Sequence, residues 1–185
     1  MKKEIRIVGL DDSPFDKFRD RKTLVVGTFF RGGSFLDGIL TTEVTVDGTD
    51  STQRIVNMLS NSKFRPQIRV VLLKGLAFAG LNIIDIQEIA RKLKIPVIVV
   101  MRRQPRKDLK ASLERLGMGS KVRLLEKAGP IRKVNHLYVQ FAGCDEEFVR
   151  KIASMTVKHG NIPEPLRLAH IIASGIMDGE SRGRA

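Results

Sequence analysis

The chain has 185 residues, 42% of them hydrophobic, enough to bury the core of one domain of ordinary size. Lysine and arginine number 33 against 20 acids, a formal charge of +13, and Cys144 is the only cysteine. These figures exclude an intrachain disulfide framework and a multi-cysteine metal site, and no apolar run approaches the ~18–20 residues of a bilayer span.

The start of the chain, Met-Lys-Lys-Glu-Ile-Arg, lacks the apolar stretch and cleavage site of a signal peptide, so the expected setting is cytoplasmic, with no membrane partner. Residues 5–10 read as a short strand ending at Asp11-Asp12, and Ser13-Pro14 opens a charged surface loop to Lys22. Residues 23–30 are β-branched and aromatic, Arg31-Gly32-Gly33 is a turn, and residues 35–46 resume a strand, which gives an antiparallel meander of three. Asp50-Ser51-Thr52-Gln53 has the form of a capping box, with Asp50 as N-cap and Ile55, Val56 and Leu59 on the buried side. Residues 69–73 predict a buried strand, 83–93 a helix and 96–101 another apolar strand, which together imply a parallel βαβ unit.

Further on, residues 107–116 predict a basic helix, and residues 122–125 and 137–141 two short strands. Residues 145–157 carry Phe148, Ile152 and Met155 at helical spacing, and a last helix runs from about 163 to 177. The expected organisation is one domain over residues 1–178 with a flexible tail at 179–185. The fold class is α/β with a mixed sheet: an antiparallel three-strand meander continues into parallel βαβ, flanked by helices. That order matches a ribonuclease H-like architecture.

The charge is unevenly placed. Residues 102–133 hold eleven lysines and arginines against three acids, a surplus of eight in 32 residues. Such a surface attracts polyanions, and nucleic acid is the usual one. With nine Phe, one Tyr and no Trp, phosphate contacts are favoured over an open stacking sheet. Arg102, Arg103, Arg106, Lys107 and Lys110 are the expected backbone contacts.

Side chains alternate along a strand, so only one of Asp11 and Asp12 can point into a site above the sheet. Asp47 closes the third strand, next to the first if the meander holds. Two carboxylates on neighbouring strand ends either bind Mg²⁺ or Mn²⁺ or simply build turns.

Gly9-Leu10-Asp11, Asp47-Gly48, Leu72-Leu73-Lys74-Gly75, Ala77-Phe78-Ala79-Gly80, Asn82-Ile83-Ile84-Asp85 and residues 162–170 resemble an archaeal family of the endonuclease dU type. That family is similar to endonuclease V, and the resemblance covers nearly the whole chain. It implies a ribonuclease H-like nuclease cutting DNA beside deaminated bases, deoxyuridine among them, with Mg²⁺ or Mn²⁺ as cofactor. The three metal-holding positions of endonuclease V correspond to Asp11, Asp47 and Lys74. The third is a departure, because an ammonium has no lone pair to coordinate with. Lys74 would weaken the metal site, contact the scissile phosphate, or turn to solvent. A second departure is that the lesion-prising Tyr-Ile-Pro-Gly type loop has no counterpart between strands two and three.

In the last helix His170 is the candidate for proton transfer, with Glu164 and Arg167 beside it, and Lys74 or Arg167 would neutralise charge developing on phosphorus. The catalytic set expected is therefore Asp11, Asp47, Lys74 and His170, with Arg167 also touching nucleic acid. The rivals are a non-catalytic nucleic-acid-binding relative and a scaffold whose basic strip meets an acidic protein. His136 and His159 carry little information, Asn82 and Asp85 read mainly as cap and ion-pair residues, and Cys144 has no nucleophilic setting. Gly75 and Gly80 lack the following Gly-Lys-Ser/Thr of a nucleotide loop.

Overall fold

The first strand decides the plan of the molecule. In the computed structural model, which describes residues 4–104 and 108–181, β1 (Arg6–Asp12) is enclosed on both faces. Its residues Ile7, Gly9 and Asp11 face one layer of helices, and Val8, Leu10 and Asp12 face the other. β2 (Lys22–Arg31) and β3 (Phe35–Thr45) complete the predicted meander, and α1 (Ser51–Ser60) follows. β4 (Val70–Lys74) then lies parallel to β1.

A two-stranded hairpin, β5 (Ala77–Phe78) and β6 (Asn82–Ile83), precedes α2 (Ile86–Leu93), and β7 (Val97–Met101) pairs parallel with β4. After α3 (Asp108–Arg115) and α4 (Gly119–Lys127), β8 (Arg132–Val134) and β9 (Leu137–Ala142) extend the sheet antiparallel. α5 (Glu146–Thr156) and α6 (Glu164–Asp178) close the chain. The seven-stranded order is β3-β2-β1-β4-β7-β9-β8, a ribonuclease H-like mixed sheet. Among the described residues, no helix is long and apolar enough to cross a membrane.

Two cores sandwich the sheet. Val8, Leu10, Phe29, Leu73 and Val99 pack under α1 to α4, while Ile7, Phe30, Leu72 and Ile98 pack under α5 and α6. Three expectations are corrected. Residues 122–125 are helical, not a strand: Met118, Val122 and Leu125 recur at i, i+4 and i+7 and turn toward the first core. The helix expected from residue 83 begins at Ile86, because Asn82-Ile83 pairs with β5 and Asp85 accepts a capping bond from Glu88 N at 3.0 Å. Asp50 stands at the N-cap of α1 but does not cap it; its carboxylate accepts from Thr45 N and Oγ1 (both 3.0 Å) and from Asn82 Nδ2 (2.8 Å). Burial works against that carboxylate, yet these bonds hold its pKa below the usual range.

Candidate active site

Strand register brings the first two groups together. β1 and β4 run parallel with Gly9 opposite Leu72 and Leu10 opposite Leu73, so the next step along each strand sets Asp11 beside Lys74. Both project from the carboxyl end of a parallel strand toward the α5–α6 layer, where ligand sites of open α/β sheets lie. Lys74 Nζ donates to Asp11 Oδ2 at 2.9 Å. The Asp11 side chain is 5% exposed and that of Lys74 is 26% exposed.

The third group arrives on α6, and a glycine admits it. A Cβ on Gly9 would lie 2.5 Å from the Pro165 carbonyl carbon, so the start of α6 rests directly on β1. Thr28, opposite Gly9 on β2, donates from Oγ1 to Pro165 O at 2.6 Å and fixes the joint. From Pro165 to His170 the helix rises about 7.5 Å, and from Gly9 to Asp11 the strand advances about 6.6 Å. Two short advances of similar length therefore separate the joint from the two side chains. At their ends His170 Nδ1 meets Asp11 Oδ2 at 2.9 Å. His170 Nε2 is enclosed and has no hydrogen-bond partner among the described residues.

Asp12 and Asp47 go elsewhere, and Asp47 does not neighbour the first strand as expected, because in the meander β2 lies between β3 and β1. Asp12 points to the opposite face and accepts from Ala79 N at 2.8 Å. Burial, reinforced by the neighbouring Asp11 charge, pushes its carboxyl up to about 6, against the opposing pull of the Ala79 bond and Lys74. Asp47, in a left-handed conformation, accepts from Leu81 N at 2.8 Å and pairs with Lys17 at 3.3 Å. Its backbone oxygen takes the ammonium of buried Lys121 at 2.6 Å, whose pKa burial depresses. Both carboxylates thus hold the β5–β6 hairpin, whose two-residue strands are too short to carry a local strand signal.

The remaining candidates separate from the cluster. Arg167 lies one turn before His170 and is bidentate to Glu164, with bonds of 2.9 and 2.7 Å to Oε2. Lys110 pairs with Glu126 at 2.6 Å, Arg103 is exposed and Arg102 half-buried; Arg106 and Lys107 lie outside the described residues. His136 Nε2 bonds with Asn161 O at 3.0 Å, and His159 N donates to Glu164 Oε1 at 3.2 Å. Burial pushes the Cys144 thiol up to about 11, which leaves it without nucleophilic character at neutral pH.

Mg²⁺ demands near-ideal octahedral oxygen coordination. Here one carboxylate converges with an ammonium and an imidazole, and both groups bond to the same oxygen. Among the described residues no three His, Cys, Asp or Glu side chains form a metal-holding group. As folded, the donor set does not fit a divalent ion.

From Gly75 onward, on the other face of the sheet from His170, a recess of about 510 Å³ opens between the sheet and the α3–α4 pair. Leu76, Met101, Leu109 and Ile131 make it largely apolar, and Gln104 and Gln140 bring amides to it. Gln140 Nε2 donates to Gly129 O at 2.7 Å, which fixes that amide.

A mixed sheet of this order, with an Asp at the end of the first strand and a His from the last helix upon it, is the architecture of a ribonuclease H-like α/β protein. The endonuclease dU family model matches residues 3–177, and the chain belongs to that family. A UPF0215 protein of Methanothermobacter thermautotrophicus is 46% identical over all of this chain and 94% of its own length. A crystal structure of an Archaeoglobus fulgidus protein of unknown function superposes with a TM-score of 0.87 at 38% identity, covering 94% of this chain and 98% of that one. Endonuclease V of Ciona intestinalis, in complex with an inosine-containing DNA, has a TM-score of 0.64 at 15% identity over 96% of this chain and 87% of that one, a likeness of fold. Family and fold together point to a nuclease.

Proposed function

We propose that the chain is an endonuclease that hydrolyses phosphodiester bonds in DNA, at strands carrying deoxyuridine or another deaminated base. The observation that carries this reading is the meeting of Lys74 and His170 on one oxygen of Asp11, at the carboxyl edge of the sheet. Lys74, a quarter exposed, faces incoming phosphate and offsets charge developing on phosphorus. Asp11 accepts from His170 Nδ1 and orients the ring. Nε2 is enclosed in the free protein, so it takes the proton of the attacking water only once bound DNA opens the edge. As the water oxygen bonds to phosphorus, the bond to the leaving oxygen breaks and that oxygen takes a proton from the Lys74 ammonium or solvent. The recess beside Gly75 has room for an extruded base, with the amides of Gln104 and Gln140 able to pair with a base edge.

The Mg²⁺ or Mn²⁺ requirement implied by the family resemblance is tested in the same assay. A labelled duplex with one deoxyuridine, beside an undamaged control, is incubated with Mg²⁺, Mn²⁺ or EDTA. Cutting is expected, and Asp11→Asn is expected to lower it by about 10²–10⁴-fold, the usual range for lost acid–base function. Lys74→Asp exchanges the ammonium for an oxygen donor. Metal-stimulated cutting in that variant identifies a weakened metal site; lost cutting identifies Lys74 as a working group.

A second reading has its own observation: the Lys74 ammonium already neutralises Asp11. A binding relative without turnover would show no cutting under any condition. Its affinity would still fall with salt, at a log–log slope of ~0.9 per phosphate contacted on duplex DNA.

A further inference from the structure

Nine phenylalanines contribute almost all the aromatic surface of the chain, and one of them stands apart. Phe29, Phe30 and Phe78 are core residues, Phe64 stacks on Phe29 at 4.3 Å, and Phe35 lies under the Arg31 guanidinium. Phe18 is 96% exposed. It sits in the loop between β1 and β2, seven residues beyond Asp11, on the carboxyl edge where Lys74 and His170 converge.

That loop is held at several points. At its base Ser13 Oγ and Thr23 Oγ1 are 2.9 Å apart, and Ser13 N donates to Leu24 O at 2.8 Å. At its middle Lys17 reaches Asp47 at 3.3 Å, the residue that holds the β5–β6 hairpin on the other face of β1 from His170. At its tip Phe18 N donates to Asp16 Oδ1 (2.9 Å), Asp20 N to Asp16 O (2.8 Å) and Asp16 N to Asp20 Oδ2 (2.7 Å). A large apolar ring is thus presented to water by an ordered backbone, and no packing among the described residues accounts for it. Its near neighbours in sequence include four exposed cations, Lys17, Arg19, Arg21 and Lys22, against two acids, Asp16 and Asp20. Lys17 pairs with Asp47 and Arg19 with Asp16 at 3.6 Å, and the surplus at the loop is positive. An aromatic ring among cations suits a ligand with flat π-faces on a polyanionic backbone.

We infer that Phe18 is a base-stacking residue, which packs its ring against an unstacked nucleobase of a DNA strand lying across the Asp11–Lys74 edge. The inference rests on the nuclease reading and adds a base contact to it. Cations at the loop take the phosphates, while Phe18 covers the base face that leaving the stack would expose to water.

The chain has no tryptophan, so Phe18→Trp creates a single reporter. The probe is a fluorescein-labelled DNA duplex with one unpaired base; heparin serves as a polyanion without bases. Label anisotropy reports binding, and tryptophan emission reports stacking. Emission is expected to be quenched as the duplex saturates and to stay unchanged with heparin. Phe18→Ala is expected to lose about 5- to 100-fold in duplex affinity, none for heparin, and to unfold at the wild-type temperature, since the ring packs on nothing. Saturable duplex binding with unchanged emission, or with unchanged Phe18→Ala affinity, would overturn the stacking role and leave the nuclease reading standing. No anisotropy change in the wild type would remove both.

Discussion

Asp11 and Asp12 are adjacent in sequence and face opposite worlds. Asp11 meets Lys74 and His170, side chains from a distant strand and the last helix. Asp12 meets a backbone N–H of the β5–β6 hairpin, and burial holds its carboxyl up near 6. One side of the strand gathers chemistry at an open edge; the other spends its charge on holding a loop. The difference teaches that on a doubly covered strand the pleat, and not the residue type, assigns the role.

That contrast can be broken first at its hinge. Gly9→Ala inserts a methyl into the Pro165 backbone, which cannot rotate away as a side chain can. The expected loss is about 3 kcal/mol, the upper end for overpacking, read by thermal or denaturant unfolding. His170 should leave Asp11 with it, so cutting falls further than stability explains; a variant as stable and active as wild type would refute the joint.

A smaller effect sharpens the comparison from the other face. The Asp12 pKa rises from 3.8 to about 6 on folding, so between these values the folded chain keeps a proton that the unfolded chain has released. Stability contributed by this group therefore falls as pH rises through that window. Asp12→Asn keeps an oxygen for Ala79 N and removes the charge, and should stabilise the fold by about 2–3 kcal/mol at pH 8 and by no more than about 0.5 kcal/mol at pH 4. Equal effects at both pH values would contradict the buried-carboxylate account. The smallest expected change is at Lys127, half exposed, which pairs with Asp85 at 2.5 Å and pins α4. Lys127→Met should cost no more than about 1 kcal/mol, and less in high salt.

Much of this contrast was legible in the sequence. The meander, the βαβ unit and the last helix follow from β-branched runs and apolar periodicity, and alternation alone separates Asp11 from Asp12. Lys74 was found by correspondence with a motif, and the parallel register supplies the physical reason it meets Asp11. The partners of Asp47 were not legible: Leu81 and Lys121 reach it through tertiary packing, which no local pattern encodes. The strand expected at residues 122–125 shows the matching weakness, since four apolar-rich residues fit either period and the neighbours at Met118 and Lys121 decide.

The seating of α6 on Gly9 also orders events in time. Asp11 emerges early in synthesis and its partner His170 is 159 residues later, so the cluster cannot assemble on a growing chain until nearly all of it has been made. At ribosomal rates of about 5–20 residues per second, that interval is roughly 8–30 s. A prematurely terminated chain lacking α6 would carry Asp11 and Lys74 without His170, and would leave the core face that Leu166 covers open to water.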